Sequence, residues 1–383
     1  MSTPIAALGD RRLVLVCGSG GVGKTTTSAA LGLALARRGA RVLVITVDPA
    51  RRLAQALGLD GIGTDIVPVE GAGPGAMSVA MLDTKAGWDD LVRRHARDAA
   101  SAGRIIANPL YHNITSRFVN SHDYIAMEKL HELGAGGEWD VVVVDTPPSR
   151  NALDLLDAPT RMREFFGGRL LRWLTLPYRS RALSLASRPF FQIADRILGA
   201  QFLADIGEFF SLLQSMEQGF IARASAVEAT LRSAATASVV VTGPEPAPSA
   251  EAVHLLRELR RRAMEARLLV VNRVTDDPGA VAESADWDGF VAAAVAAGIA
   301  GPEEARRTAA SVRSALVEVR SVAARHRDAV AALTEEGVPM VVVPLVVGAP
   351  GDRASTGVDA IVTALGSSAA RMGEGRDGHV DHR

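Results

Sequence analysis

One stretch limits what this chain can be: Cys17-Gly18-Ser19-Gly20-Gly21-Val22-Gly23-Lys24-Thr25-Thr26. The apolar run Leu13 to Val16 leads into it, and an Ala/Leu-rich helical pattern from Lys24 to Arg38 leads out. A strand, a glycine loop closing on Gly-Lys-Thr and then a helix is the setting a phosphate-binding loop requires. Gly18, Gly20, Gly21 and Gly23 carry no Cβ, so the backbone can curl around an oxyanion. The N–H groups from Gly18 through Ser19 and Val22 to Thr26 then point inward, and the helix start adds partial positive charge. Lys24 is expected to reach the β- and γ-phosphates, and the Thr25 hydroxyl to ligate Mg²⁺. The plain alternative is a glycine-rich turn joining a strand to a helix, and the spacing and context favour the phosphate loop.

With 383 residues the chain can bury the core of one large α/β domain. Net charge is −1 and no basic block stands out, which argues against a nucleic-acid partner. Lys24, Lys85 and Lys129 are the only lysines, so abundant arginine reflects coding bias more than function. Cys17 is the only cysteine, which excludes an intrachain disulfide and any Cys-x-x-Cys site for zinc or an iron–sulfur cluster. Cys17 closes an apolar run and reads as a buried small hydrophobe. No charged-then-apolar leader opens the sequence, and no uncharged apolar run approaches ~18 residues. A cytoplasmic protein is expected, peripheral at a membrane at most through a partner.

The runs Arg41 to Val47 and Trp139 to Val144 read as strands buried on both faces of a parallel sheet. The first ends in Asp48-Pro49-Ala50 and the second in Asp145-Thr146-Pro147-Pro148. A carboxylate there lies on the edge where α/β sheets bind ligands. For Asp48 this favours a catalytic, water-positioning role over a helix cap ahead of proline. Asp145 after four valines makes a Walker-B pattern, whose carboxylate would hold Mg²⁺ directly or through water.

Residues 60–75 read as a Gly/Pro loop, 77–82 as a strand, and 84–135 and 151–235 as a helical subdomain. Eight of the ten phenylalanines lie between Phe165 and Phe220, with Ile206, Phe209, Phe210, Leu213 and Met216 at helical spacing. Core packing explains most of them, and a hydrophobic groove or dimer face is the sharper reading. Further strands are expected at 237–242, 267–271 and 339–343, with Ser249 capping a helix between the first two. Residues 275–330 read as an alanine-rich helical insertion, and 366–383 as a disordered tail within one domain spanning 1–383. Strands separated by helices imply right-handed crossovers and a doubly wound α/β fold, a mostly parallel sheet of about seven or eight strands.

The loop, Thr46-Val47-Asp48-Pro49-Ala50, Asp145-Thr146-Pro147-Pro148 and Asn272 together resemble the ArsA/tail-anchored-protein-targeting family of ATPases, in order and spacing from about residue 12 to 365. The resemblance implies a P-loop core of the deviant Walker A type, ATP and Mg²⁺ as cofactors, and work as a dimer. It implies that Asp48 positions the attacking water, that Asp145 senses γ-phosphate and Mg²⁺, and that Asn272 with Pro344 and Leu345 holds adenine. A GTPase is disfavoured independently, because Asn272-Arg273-Val274-Thr275 lacks the aspartate of Asn-Lys-x-Asp.

Three departures qualify the resemblance. The family's loop usually carries, where Ser19 stands, a lysine that reaches the partner's nucleotide. By analogy with arginine fingers such a cation is worth about 10³–10⁵ in rate. The expectation is a heterodimer with a lysine-bearing paralogue, a homodimer being the alternative, and weak hydrolysis by the chain alone. The second switch reads Pro148-Ser149-Arg150-Asn151 where the family has Pro-Thr-Gly-His, so Arg150 is a candidate for the missing cation in cis. Cysteines for arsenite or zinc have no counterparts. The client would be a hydrophobic segment or membrane protein, and a regulatory, weakly hydrolysing subunit is the competing class. A MinD/ParA-type positioning ATPase ranks lower, since the tail Arg371 to Arg383 mixes both charge signs and lacks an apolar face.

Overall fold

The computed structural model describes residues 3–47, 52–82, 84–108, 111, 121–147, 149–167, 216–279, 285–346 and 353–367. After a 3₁₀ turn at Pro4–Leu8, the first half runs β1 (Leu13–Gly18), α1 (Lys24–Ala36), β2 (Arg41–Thr46), α2 (Arg52–Leu57), β3 (Val67–Val69) and β4 (Ala76–Met81). Helices α3 (Thr84–His95), α4 (Ala99–Ala107) and α5 (Ser121–Ala135) precede β5 (Val141–Asp145), α6 (Ser149–Gly167) and α7 (Glu217–Arg232). Strand β6 (Thr236–Thr242), α8 (Pro246–Arg261), β7 (Ala266–Val274), α9 (Trp287–Ala296), α10 (Pro302–Thr334), β8 (Met340–Pro344) and α11 (Arg353–Gly366) complete it.

The eight strands form one sheet in the order β3-β4-β2-β5-β1-β6-β7-β8. Every pair is parallel except β3 with β4. Strand β1 sits between β5 and β6, and every one of its residues is buried. Its side chains alternate between the faces: Val14 and Val16 join the cluster beneath α1 and α11, while Leu13, Leu15 and Cys17 join the one beneath α5, α6 and α8. Apolar side chains on both faces are what a sheet covered by helices on each side demands. The order reverses at β1, so the cleft beyond its carboxyl end is the topological switch point where ligands bind.

Helices α3, α4, α5, α6 and α7 close around a third core. Phe220 is fully buried there, with Trp88, His95 and Tyr124 ringing it at 5.6–6.3 Å between ring centroids. Met216 is buried in the same core, whereas Ile206, Phe209, Phe210 and Leu213 lie outside the described residues. The tail from 368 onward does too.

Three local expectations shift. The 60–75 loop contains β3, a three-residue edge strand with proline at its centre, whose composition reads as a turn. Helix α8 starts at Pro246, and the Ser249 hydroxyl donates back to the Gly243 carbonyl at 3.1 Å instead of capping the helix. Proline is tolerated in a first turn because its missing N–H has no partner to lose there. Strand β7 runs on to Val274 through an irregularity beside β8.

Candidate functional site

Strand β1 ends at Gly18, still paired with Val241 of β6, and nothing larger than glycine fits there. A Cβ on Gly18 would lie 2.1 Å from the Val241 carbonyl oxygen of β6. Gly21 and Gly23 then turn the chain with φ of +78° and +99°, a region open to glycine at no steric cost. Gly23 is the residue before α1, and a Cβ there would lie 2.3 Å from the Asn272 Nδ2. The loop is thus a backbone cradle in which Gly18 and Gly23 are required by close neighbours and Gly21 by its positive φ.

Lys24, the first residue of α1, folds back across the loop, its buried Nζ donating to the Ser19 carbonyl at 2.8 Å. Burial pushes its pKa down and the Asp145 carboxylate opposes that shift. One residue on, the Thr25 hydroxyl donates to Asp145 Oδ2 at 2.7 Å. Asp145 is buried at the end of β5, next to β1, so parallel pairing brings residues 120 apart in sequence into contact. Ser28, one helical turn after Lys24, sits with Oγ 3.3 Å from Asp145 Oδ1 and 3.0 Å from the Lys24 carbonyl, and its single proton serves one at a time. The Thr46 hydroxyl, ending β2, reaches Asp145 Oδ2 at 3.5 Å. Thr146 anchors the chain beyond Asp145, its hydroxyl donating to the Val16 carbonyl at 2.8 Å. Cys17 is fully buried with its thiol pKa pushed up to about 11, which makes it inert packing.

From the other side of the switch point, the end of β7 holds the loop. Asn272 Nδ2 donates to the Val22 carbonyl at 2.9 Å and Arg273 Nη2 to the Gly21 carbonyl at 2.7 Å. Arg273 does so from a left-handed backbone, φ +64°. Beyond them opens a cavity of about 390 Å³ lined by Gly23, Thr26, Asn272, Pro344 and Leu345, with Arg52, Gln55 and Arg273 contributing polar groups. Its size falls in the range of small-ligand pockets.

The structure therefore brings Gly18 through Thr26, Asp145, Asn272, Pro344 and Leu345 to one edge of the sheet. Ser19 Oγ is buried there with no hydrogen-bond partner among the described residues. Asp48 lies outside the described residues, as does the side chain of Arg150. Sequence reasoning missed Ser28, Thr46 and Arg273. Ser28 carries a signal, lying three residues after Thr25 on the same helix face, whereas the backbone twist at Arg273 has none.

Whether these residues fit a nucleotide and its metal is a question of donor chemistry. The cradle presents N–H groups and an ammonium, which suit phosphate, and Thr25 with Asp145 presents two hard oxygens 2.7 Å apart, which suit Mg²⁺. The residues present fit both. The doubly wound sheet and the Gly-Lys-Thr cradle at its switch point define a P-loop protein of the nucleoside-triphosphate-binding class.

The chain belongs to the anion-transporting ATPase family, whose model matches residues 11–286. It is 32% identical over 265 residues to an uncharacterized protein of Streptomyces coelicolor, covering 69% of this chain and 62% of that one. It is also 29% identical over 143 residues to ATPase GET3 of Malassezia globosa, 37% of this chain and 41% of that protein. With ATPase get3 of Pyrenophora tritici-repentis it shares 24% identity over 266 residues, 69% and 74% of the two chains. The chain thus spans less than two thirds of the Streptomyces and Malassezia proteins. The family expected from the loop, Asp145 and Asn272 is the one found.

Proposed function

We propose that this chain is a Mg²⁺-dependent ATPase whose nucleotide cycle opens and closes a dimer and acts on a hydrophobic or membrane-protein client. One observation carries the reading: the Thr25 hydroxyl and the Asp145 carboxylate meet at 2.7 Å where α1 begins, beside the Lys24 ammonium. In that arrangement the loop N–H groups and Lys24 bind and orient the phosphates, Thr25 and Asp145 hold the metal, and Asn272, Pro344 and Leu345 enclose the base. A bound Mg²⁺ would neutralise charge on the phosphate oxygens. Lys24 would exchange its bond to the Ser19 carbonyl for phosphate, and Asp48 would orient the attacking water. Family membership supports ATP as the nucleotide.

Isothermal titration tests this. ATP should bind the wild-type chain more tightly with Mg²⁺ than with a chelator present, and Thr25→Ala and Asp145→Asn should each lose that difference. Mg²⁺-independent binding by the wild type overturns the reading.

Ser19 favours a second reading, a weakly hydrolysing subunit completed by a lysine-bearing paralogue. A serine hydroxyl carries no charge to lend a neighbouring active site, and here it is buried without a partner among the described residues. Among the described residues no helix is long and apolar enough to cross a membrane.

A further inference from the structure

Helix α10 spans 33 residues, about three times the average globular helix. From Arg306 to Ser321 every residue but Ala309, Leu316 and Arg320 is exposed. Its apolar side chains nevertheless keep time: from Ala305 to Ala323 they recur in alternating steps of four and three, and after His326 Val330 and Leu333 resume the same register. That period of 3.5 is the seam of one helix packing along another. At the near end Ala305 and Ala309 are buried, Ala309 facing Trp287 and Val291 of α9 across a shared cleft. At the far end Ala323 and Leu333 are buried, Leu333 in the core beneath the sheet. Between them Val312 is 42% exposed, Val319 38%, and Leu316 only partly covered. The seam is covered at both ends and open in the middle.

Charge along the open stretch is one-sided. Arg306, Arg313 and Arg320 flank the seam at intervals of seven, while the other flank carries Thr308, Ala315 and Val322. Arg320 turns toward Asp277 at 3.9 Å. Arg306 has only the exposed Glu303 at 3.9 Å, and Arg313 enters no ion pair among the described residues.

We infer that Val312, Leu316 and Val319 dock an amphipathic helix of another protein, which lays its own apolar seam along α10 and sets carboxylates against Arg306 and Arg313. A second copy of α10 does not meet this need. Antiparallel pairing would set the arginine flank against itself, parallel pairing would set it against Thr308 and Ala315, and neither flank holds a carboxylate. The inference is independent of the nucleotide site.

Two synthetic helical peptides, three heptads long with the same leucine seam, test it, one flanked by glutamate and the other by lysine. Titrated into the full-length chain at physiological salt and followed by fluorescence anisotropy, the glutamate peptide should bind at least about tenfold more tightly. Arg306→Glu with Arg313→Glu should reverse that preference. Val319→Asp should abolish binding of both peptides while circular dichroism and ATP binding stay as in the wild type. Equal binding of the two peptides, or a preference that charge reversal leaves unmoved, overturns the inference. So does a homodimer that Val319→Asp dissociates in sedimentation, or peptide binding that requires removal of residues 368–383, since either identifies a different occupant.

Discussion

At the scale of the residue, the phosphate loop is held by contacts that only glycine permits, and its glycines are unequal. A Cβ on Gly18 meets the backbone of β6 at 2.1 Å, where neither strand can retreat without breaking the sheet. A Cβ on Gly20 meets nothing within 4 Å. Gly18→Ala should therefore cost about 2–4 kcal/mol of folding stability, and Gly20→Ala close to none, in urea unfolding midpoints. The sequence announces both glycines as one motif, but only the packing separates the structural one from the one facing open space. Lys24, Thr25 and Asp145 were legible because strand, loop and helix follow in fixed spacing, and a carboxylate after four valines must emerge at the sheet edge. Arg273 was not, because its contact with the Gly21 carbonyl depends on a left-handed backbone that no neighbouring residue requires.

At the scale of the element, helix α5 carries a partly buried carboxyl beside helix α6. Asp123, in the first turn of α5, has its carboxyl pushed up to about 6, first by burial and then by Asp154, with Arg161 of α6 pulling the other way. A raised carboxyl pKa favours folding below its ordinary value of 3.8, and that contribution is lost as pH rises through 6. Asp123→Asn should thus raise the thermal midpoint at pH 7.5 by roughly 1–2 °C, with the gain vanishing near pH 4. A gain equal at both pH values would show that the carboxylate charge is not the cause. Elements differed in legibility for a physical reason. Strands buried on both faces, such as β1 and β5, spell themselves as continuous apolar runs. Strand β3 is short, antiparallel and at the edge, so its Val67-Pro68-Val69 looked like part of a loop. Helix α8 likewise opens three residues ahead of the Ser249 cap that the sequence suggests, with Pro246 and Pro248 inside its first turn.

At the scale of the whole molecule, one chain supplies a cradle, two metal-suited oxygens and a cavity of small-ligand size, and at position 19 a buried neutral hydroxyl. Ser19→Lys should leave ATP affinity within about threefold and raise turnover of the purified chain by at least roughly tenfold if it supplies the cation its own dimer lacks. Unchanged, robust turnover in both forms would remove the case for a paralogous partner. The sheet itself limits how any such partner attaches. One outer strand, β3, is three residues long with Pro68 at its centre, and the other, β8, follows Pro339 and ends in Pro344. Proline gives no N–H to a new neighbour, so neither border offers a long row of donors for a foreign strand to zip onto. Assemblies of this protein should form through helices and loops, and the same two borders protect it from growing, edge to edge, into fibres.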